Sequence, residues 1–396
     1  MTDKPGESRD ERERRDAARR FLRTFGLSVA TIAILVGSIN VYAFRFMLRD
    51  DNQSIVQLLS GWGRLYKPVL HDQISPAVVA FGASWARDAW DPIETGRLLN
   101  RTVFNHGVSG GTVYETRRFA ESAMINPNME AAIVNLNTIF RDWDVRAKYG
   151  FDEAILNVDA NQQPNRWVAV QRAYSLALTG WSIGANLELI SAIRARDSGA
   201  ALAEYLPSYQ SVDFRLREEH LAAARQRIFP ETTTTAPQTI PEPLSRFQQG
   251  ALEEFEIMID GLCDRNIDLY AYFTPKHVWE NACDPHATLK LATLELLRRK
   301  IPSCAANIRY FDFDYPNALT LEGVLSPVTE SQYYRPDGHP RPTVGLLMAA
   351  KMFGVEFPAD APPDLARDFG VDLLAHPDAE GWLLQRGARC EGVWEE

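Results

Sequence analysis

The chain has 396 residues, of which 45% are hydrophobic and 24% are charged, and its formal net charge is −10. This composition excludes a disordered or collagen-like chain. The acidic balance argues against a protein that binds the phosphate backbone of nucleic acids. The length allows one large domain with an insertion, or two domains.

The N-terminal region contains an uncharged, mainly apolar run over residues 25–44. A helix of that length spans about 30 Å, the thickness of the hydrocarbon core of a bilayer. Eight Lys and Arg residues precede the run, and only Arg45 and Arg49 follow it closely. The positive-inside rule therefore predicts a cytoplasmic tail over residues 1–24 and places the rest of the chain outside the cytoplasm. We expect a single-pass anchor; the alternative is a cleaved signal peptide, which leaves the rest of the chain on the same side.

Beyond a predicted helical neck (residues 45–73), short β-rich runs alternate with helix-prone stretches. The runs cover residues 76–81, 102–104, 131–136, 267–273 and 308–313. Strands that alternate with helices favour a parallel sheet covered on both faces. The core domain is predicted over residues 74–141 and 244–354. Residues 142–243 are a helix-prone insertion, expected to cap the functional edge of the sheet, and residues 355–396 are a C-terminal tail.

The four cysteines, Cys263, Cys283, Cys304 and Cys390, have no C-x-x-C spacing, so a structural zinc site is not expected. Disulfides in an oxidising compartment and buried free thiols are both consistent with this pattern.

Three predicted strands are each followed directly by polar or small residues. The first leads into Gly82-Ala-Ser84, the second into Asn105-His-Gly107, and the third into Asn135-Leu-Asn137. Because parallel strands bring their carboxyl ends to one edge, these residues are expected to lie together. There Ser84 can act as a nucleophile, and Gly107 and Asn137 can donate hydrogen bonds to an oxyanion. The alternatives are an ordinary helix N-cap for Ser84 and turn residues for the other two.

A second motif lies far downstream, where Asp337 and His339 precede an apolar helix. A histidine base needs a partner on its other ring nitrogen, and a nearby aspartate can supply it. A solvent-facing loop histidine is the alternative. Arg87, Tyr114 and His277 are further candidates for contact with substrate, although ion pairing, core packing and a plain loop position are the competing interpretations. No histidine–carboxylate spacing indicates a metal, and no phosphate-binding loop pattern is present.

The order of these motifs resembles the SGNH (GDSL-type) hydrolase superfamily, over residues 77–354 without the insertion. Ser84 matches the nucleophile of that family, Gly107 and Asn137 its oxyanion residues, and Asp337 and His339 its acid–base pair. The resemblance implies a flavodoxin-like three-layer sandwich with a five-stranded parallel sheet. Within the superfamily, the phrases around Ser84, Gly107 and His339 are most similar to membrane-anchored proteins of bacterial exopolysaccharide modification, related to the alginate O-acetyltransferase group.

This resemblance implies a serine O-acyltransferase that modifies an extracytoplasmic polysaccharide without a cofactor. It implies a bacterial inner-membrane protein with a periplasmic catalytic domain, and a multipass membrane partner that supplies the acyl group. Two alternatives stay open: a carbohydrate esterase of the same fold, and a non-catalytic, membrane-anchored glycan-binding or assembly subunit. The last is motivated by Gly-Ala-Ser in place of Gly-Asp-Ser, and by Asn135 and Thr138 at positions where the family usually has glycine and often aspartate.

Overall fold

The computed structural model describes residues 9–47, 63–138, 147, 150–178, 190–191, 194, 243–278, 286–322, 331–335, 338–363, 365 and 369–387. Within these residues the chain forms a mixed α/β domain around one six-stranded sheet. The strands are β1 (Val78–Phe81), β2 (Val103–Asn105), β3 (Ala131–Asn135), β4 (Asp268–Phe273), β5 (Ile308–Asp312) and β6 (Val371–Asp372). Their order in the sheet is β2-β1-β3-β4-β5-β6. The first five strands are parallel, and β6 runs antiparallel to β5.

All five predicted strands form. The predicted number of strands is wrong, however, because β6 adds a further strand at the edge of the sheet. This strand lies in the segment predicted as a separate C-terminal tail. It was missed because two residues are too short to leave an alternating hydrophobic pattern. The tail also contributes the buried side chains of Leu373 and Leu383 to the core, so the domain extends beyond its predicted end at residue 354.

Helices cover both faces of the sheet. In chain order, the helices of the described residues are α1 (Arg9–Met47), α2 (Gly63–Ile74), α3 (Ser84–Ala89), α4 (Pro92–Leu99), α5 (Val113–Ala123), α6 (Val168–Leu178), α7 (Arg246–Asp264), α8 (Ala287–Lys300), α9 (Pro342–Phe353) and α10 (Ala379–Gly387). Helices α2, α5, α7, α8 and α10 pack on one face, and α3, α4 and α9 pack on the other. Because α2 belongs to this core, the domain includes residues 63–73 of the predicted neck.

The two faces follow from the alternation of side chains along each strand. In β1, Val79 and Phe81 enter one apolar cluster, whereas Val78 and Ala80 enter the other. All four side chains are buried, as expected for a parallel strand covered by helices on both sides. The nearly continuous apolar run in the sequence is thus explained by the two-sided burial.

One helix contact brings two backbones together without intervening side chains. A Cβ at Gly345 of α9 would lie 1.9 Å from the carbonyl oxygen of Ala89, the last residue of α3. Such an overlap is far below any allowed contact distance. Gly345 therefore lets α9 lie directly against the end of α3.

The described part of the insertion, chiefly residues 150–178, extends along α5 on the side of one helical layer. Leu156 is buried in the core beside that helix. Arg172 of α6 pairs with Asp72 of α2 at 2.6 Å, and Asn157 accepts a hydrogen bond from Arg172 at 3.1 Å. These residues thus pack against a face of the domain. Most of the rest of the insertion, on which the predicted cap falls, lies outside the described residues.

A disulfide joins Cys263, near the C-terminal end of α7, to Cys304, just before β5. It resolves for these two cysteines the choice between disulfides and free thiols. Cys283 and Cys390 lie outside the described residues.

The predicted anchor lies within α1. By length and composition, the stretch Arg12–Asn40 of this helix is long and apolar enough to cross a bilayer. Among the described residues no other helix meets that criterion.

Candidate active site

The site lies at the edge where the carboxyl ends of the parallel strands meet. The chain leaves β1 toward β2 on one side and later enters β3 on the other. Such a reversal of strand order opens a crevice outside the strand ends, where α/β sheets bind their ligands. The register pairs Phe81 with Val134, so the residues that follow β1 and β3 start at the same level of the sheet.

Ser84 reaches this crevice through a sharp turn at Gly82. Gly82 has φ +146°, and a Cβ there would lie 2.7 Å from the Cβ of Asn135. Only glycine accommodates both conditions. The turn makes Ser84 the first residue of α3, so its N–H has no acceptor within the helix. Ser84 is buried, with 6% of its surface exposed.

The predicted nucleophile and base meet at this edge. Ser84 Oγ and His339 Nε2 are 2.8 Å apart. When the ring proton is on Nδ1, the serine hydroxyl donates to Nε2, which is the arrangement that a general base requires. Asp337, the predicted partner of His339, lies outside the described residues, and its role stays a prediction.

A tight reversal of the chain presents His339. The N–H of Arg335 donates to the carbonyl oxygen of His339 at 2.9 Å, and the N–H of Gly338 donates to that of Arg335 at 2.9 Å. Tyr334 and Pro340 form an isolated bridge across the turn. The backbone of the loop is therefore held by its own hydrogen bonds.

Asn137 has a fixed amide orientation. Its Oδ1 accepts from the backbone N–H of Thr274 at 2.8 Å and from Nδ2 of Asn135 at 2.9 Å. Because a backbone N–H can only donate, the atom facing it must be the amide oxygen. Nδ2 of Asn137 is buried and has no hydrogen-bond partner in the described parts of the chain. A buried, unpartnered donor is costly, and an oxyanion is the kind of group that would satisfy it.

Gly107 occupies a different role from the predicted one. Its N–H donates to Oδ1 of Asn105 at 2.8 Å, and its carbonyl oxygen accepts from Lys67. A Cβ at this position would lie 2.4 Å from the backbone nitrogen of Arg87. The N–H is already engaged, so this arrangement does not offer it to an oxyanion. Gly107 instead allows the turn after β2 to pack against α3.

A buried ionic cluster lies beside Ser84 and includes Arg87. The Arg87 guanidinium donates to both carboxylate oxygens of Asp88, at 2.6 and 2.9 Å. Arg335 reaches the same carboxylate from the His339 loop, at 2.6 Å. Arg87 is thus committed to Asp88, which corrects its predicted contact with substrate. Arg335 was not predicted, because its partner is 247 residues away in the sequence.

We expect Asp88→Asn to slow acylation of Ser84 as well as to destabilise the fold. The change leaves Arg87 and Arg335 buried without their shared counter-charge, and breaking a buried pair costs about 3–5 kcal/mol. It also releases the contact that ties the His339 loop to α3. The measurement is the rate at which a fluorophosphonate probe labels Ser84, at a temperature where circular dichroism shows a folded protein. An unchanged labelling rate beside a lower melting temperature would limit Asp88 to stability.

Tyr114 belongs to the first turn of α5 and contacts the insertion. Its hydroxyl donates to Glu153, its ring makes an edge contact with Phe151, and the Arg117 guanidinium lies 5.1 Å from the ring centre. Only 6% of the residue is exposed. These contacts attach the insertion to the domain and replace the predicted contact with substrate.

His277 is buried as well. Its Nε2 lies 2.7 Å from the carbonyl oxygen of Glu322, so this nitrogen carries the proton and donates. The ring also makes an edge contact with Tyr334, beside the His339 loop. Burial lowers the pKa of His277 from 6.5 to about 4. The side chain therefore packs against the His339 loop as a neutral group. This position corrects its predicted contact with substrate.

The lowered pKa of His277 predicts that the folded protein loses stability in acid. The unfolded chain takes up a proton below pH 6.5, whereas the folded chain resists it down to about pH 4. The free energy of unfolding should fall over that window by about 1.4 kcal/mol per pH unit from this group. His277→Gln retains an N–H donor that does not titrate, so urea unfolding of this variant between pH 7.5 and 4.5 should show a shallower dependence. Equal slopes for the two proteins would contradict the assignment.

Two side chains flank the Ser84–His339 pair on the side of the loop after β4. The Trp85 ring lies 5.7 Å from that of His339, centre to centre, and Lys276 Nζ lies 5.7 Å from the Trp85 ring centre. They give the crevice an apolar wall with a positive charge above it. Within the described residues, no group of three or more His, Cys, Asp or Glu side chains is placed to hold a metal ion.

Comparison with known proteins adds no relative. No protein-family model matches the sequence, and no curated protein matches it. The chemistry of the site must therefore be argued from its geometry.

Proposed function

We propose that this chain is a serine-dependent O-acyltransferase that modifies an extracytoplasmic polysaccharide through an acyl-serine intermediate. The observation that carries the proposal is the 2.8 Å contact between Ser84 Oγ and His339 Nε2, at the same edge of the sheet as Asn137, whose Nδ2 has no hydrogen-bond partner among the described residues. A nucleophile, a base and an oxyanion donor are the three parts that acyl transfer needs.

The fold agrees with the SGNH resemblance. The five parallel strands have the order 2-1-3-4-5, which is the flavodoxin-like order. Ser84 follows β1 and Asn137 follows β3, so both lie where the strand order reverses. The antiparallel β6 is an addition at the far edge and leaves this arrangement intact.

The reaction has two steps. His339 takes the hydroxyl proton as Ser84 Oγ attacks the acyl carbonyl, and the N–H of Ser84 and Nδ2 of Asn137 bind the oxyanion. The bond from the acyl carbon to the donor then breaks, and His339 returns the proton to the leaving oxygen. In the second step His339 takes a proton from a sugar hydroxyl, which attacks the acyl-serine. The ester forms on the sugar, and Ser84 recovers its proton.

The acceptor and the donor follow from the expected location. The positive charges before the apolar run of α1 (residues 25–44) favour a domain outside the cytoplasm, and the Cys263–Cys304 disulfide is typical of an oxidising compartment. In a bacterium this location is the periplasmic side of the inner membrane. Cytoplasmic acyl donors do not reach it, so a multipass membrane protein would hand over the acyl group, as the resemblance implies.

The test is to detect the acyl-enzyme. The full-length protein in detergent is mixed with p-nitrophenyl acetate, and intact mass is measured with and without oligosaccharide acceptors. We expect a mass gain of one acetyl group in the native protein and in Ser303→Ala, whose exposed serine lies in a short turn before β5. Ser84→Ala should show no gain. Ester on the oligosaccharide, formed faster than free acetate, would favour transfer over hydrolysis.

Labelling of Ser84→Ala at the native rate would overturn Ser84 as the nucleophile. Acetate release without sugar ester, across acceptors of different linkage, would overturn the transferase in favour of the esterase. A folded native protein that never forms the adduct, even with its membrane partner present, would support the non-catalytic alternative.

A further inference from the structure

Helix α6 has its polar side toward the domain and its apolar side toward solvent. Its outward surface, which we call the α6 outer face, consists of Trp167, Ala169, Val170, Ala173 and Tyr174, all exposed. Trp167, Val170 and Tyr174 are 69%, 61% and 62% exposed. Their spacing places them on one side of the helix. The surface helix of a water-soluble domain has the opposite arrangement.

The described inward side chains of α6 attach the helix to the domain through polar contacts. Arg172 donates to Asp72 of α2 and to the carbonyl oxygen of Ile155, at 2.6 and 2.7 Å. Gln171 accepts from Asn165 at 3.0 Å, and Ser175 is buried. Within the described residues, α6 therefore docks through hydrogen bonds and an ion pair, while the residues of its outer face stay exposed.

The neighbour of α6 is α1, the helix that contains the candidate membrane span. The best-covered described positions of α1 are Val36, Gly37 and Asn40, toward the C-terminal end of that span. The α6 outer face is exposed although α1 is present, so α1 does not cover it. The α6 outer face therefore adjoins α1, a helix whose length and composition suit a lipid bilayer.

We propose that the α6 outer face lies in the interfacial layer of the bilayer that α1 spans. Trp and Tyr concentrate in that layer because their rings combine an apolar body with a polar group. An apolar helix face buries there to a depth of roughly 5–10 Å. The domain would then lie directly on the membrane, with α6 as a second contact beside the anchor. This inference rests on α1 as a membrane span and is independent of the chemistry at Ser84.

The experiment uses the full chain in phospholipid nanodiscs. Cys283→Ser and Cys390→Ser leave the disulfide intact, and Val170→Cys then carries an NBD fluorophore. The matched control is Leu384→Cys on α10, an aliphatic side chain that is 42% exposed. Helix α10 packs on α8, and α8 packs on α7, so it lies at the other end of the same helical layer. Tyr174→Cys provides a second labelled position on the α6 outer face.

The label at position 170 should lose most of its fluorescence when lipids carry a doxyl group near the glycerol backbone, and aqueous iodide should have little effect on it. The label at position 384 should respond to iodide and not to the lipid. Equal quenching of both labels by iodide would overturn the proposal. Protection of positions 170 and 174 from both quenchers would also overturn it, because another protein surface would then cover the face.

Discussion

Replacing His339 with alanine is expected to lower the turnover of acyl transfer by about 10²–10⁴-fold, the usual contribution of a positioned general base. The 2.8 Å contact with Ser84 Oγ is the reason, since without it the hydroxyl keeps its proton and is a weak nucleophile. Turnover is measured with p-nitrophenyl acetate, and acetyl-enzyme formation by mass spectrometry. His376→Ala serves as the control, because this histidine lies beside Trp382 near α10.

The double variant tests whether the two residues act as one unit. A nucleophile and its base give strongly non-additive losses, so Ser84→Ala with His339→Ala should be no slower than Ser84→Ala alone. Losses that multiply would mean that His339 acts independently of Ser84. Such a result would contradict the proposed pair even if each single variant were slow.

Replacing Asn137 with aspartate is expected to lower turnover by about 10²–10³-fold, the cost of losing one oxyanion donor. Aspartate retains an oxygen that accepts from the N–H of Thr274, so the contact observed at 2.8 Å can persist. What it removes is the Nδ2 donor. The change therefore separates the oxyanion role of Asn137 from its structural role.

The loss should appear in kcat and not in KM, because the oxyanion exists only during the reaction. Asn128→Asp is the matched control, since this exposed asparagine precedes β3 and hydrogen-bonds to Ser75 at the amino end of the sheet. A rise in KM with kcat unchanged would show that Asn137 binds the ground state and is not an oxyanion donor.

The pairing of Ser84 with His339, which 255 positions separate, was expected from the resemblance to the SGNH superfamily. The position of Ser84 itself follows from a general rule: the carboxyl ends of parallel strands share an edge, so residues that directly follow strands are predicted to meet there. The same rule placed Asn137. It applied poorly to Gly107, because the rule gives a residue's position in the sheet but not the partner of its N–H.

Side chains whose roles depend on distant partners were beyond the sequence. Arg87 and Tyr114 are of residue types that often bind substrates. Only the positions of Asp88 and Glu153 show that the two side chains make other contacts. No sequence pattern indicates a role for Arg335, because its counter-charge, Asp88, lies on another element. The sequence likewise predicts only a helix-prone insertion around α6, because a hydrophobic pattern does not say which side of a helix faces the core.

The close approach at Gly345 determines how precisely the site is assembled. Helix α3 carries Ser84 at its start, and α9 follows the loop that carries His339. At Gly345 the two helices meet backbone to backbone, with no side chain whose rotamers could absorb a displacement. The distance between Ser84 and His339 therefore depends on this rigid contact between the two helices. Substitutions far from the crevice that disturb the Gly345 contact can therefore change the rate without touching either catalytic side chain.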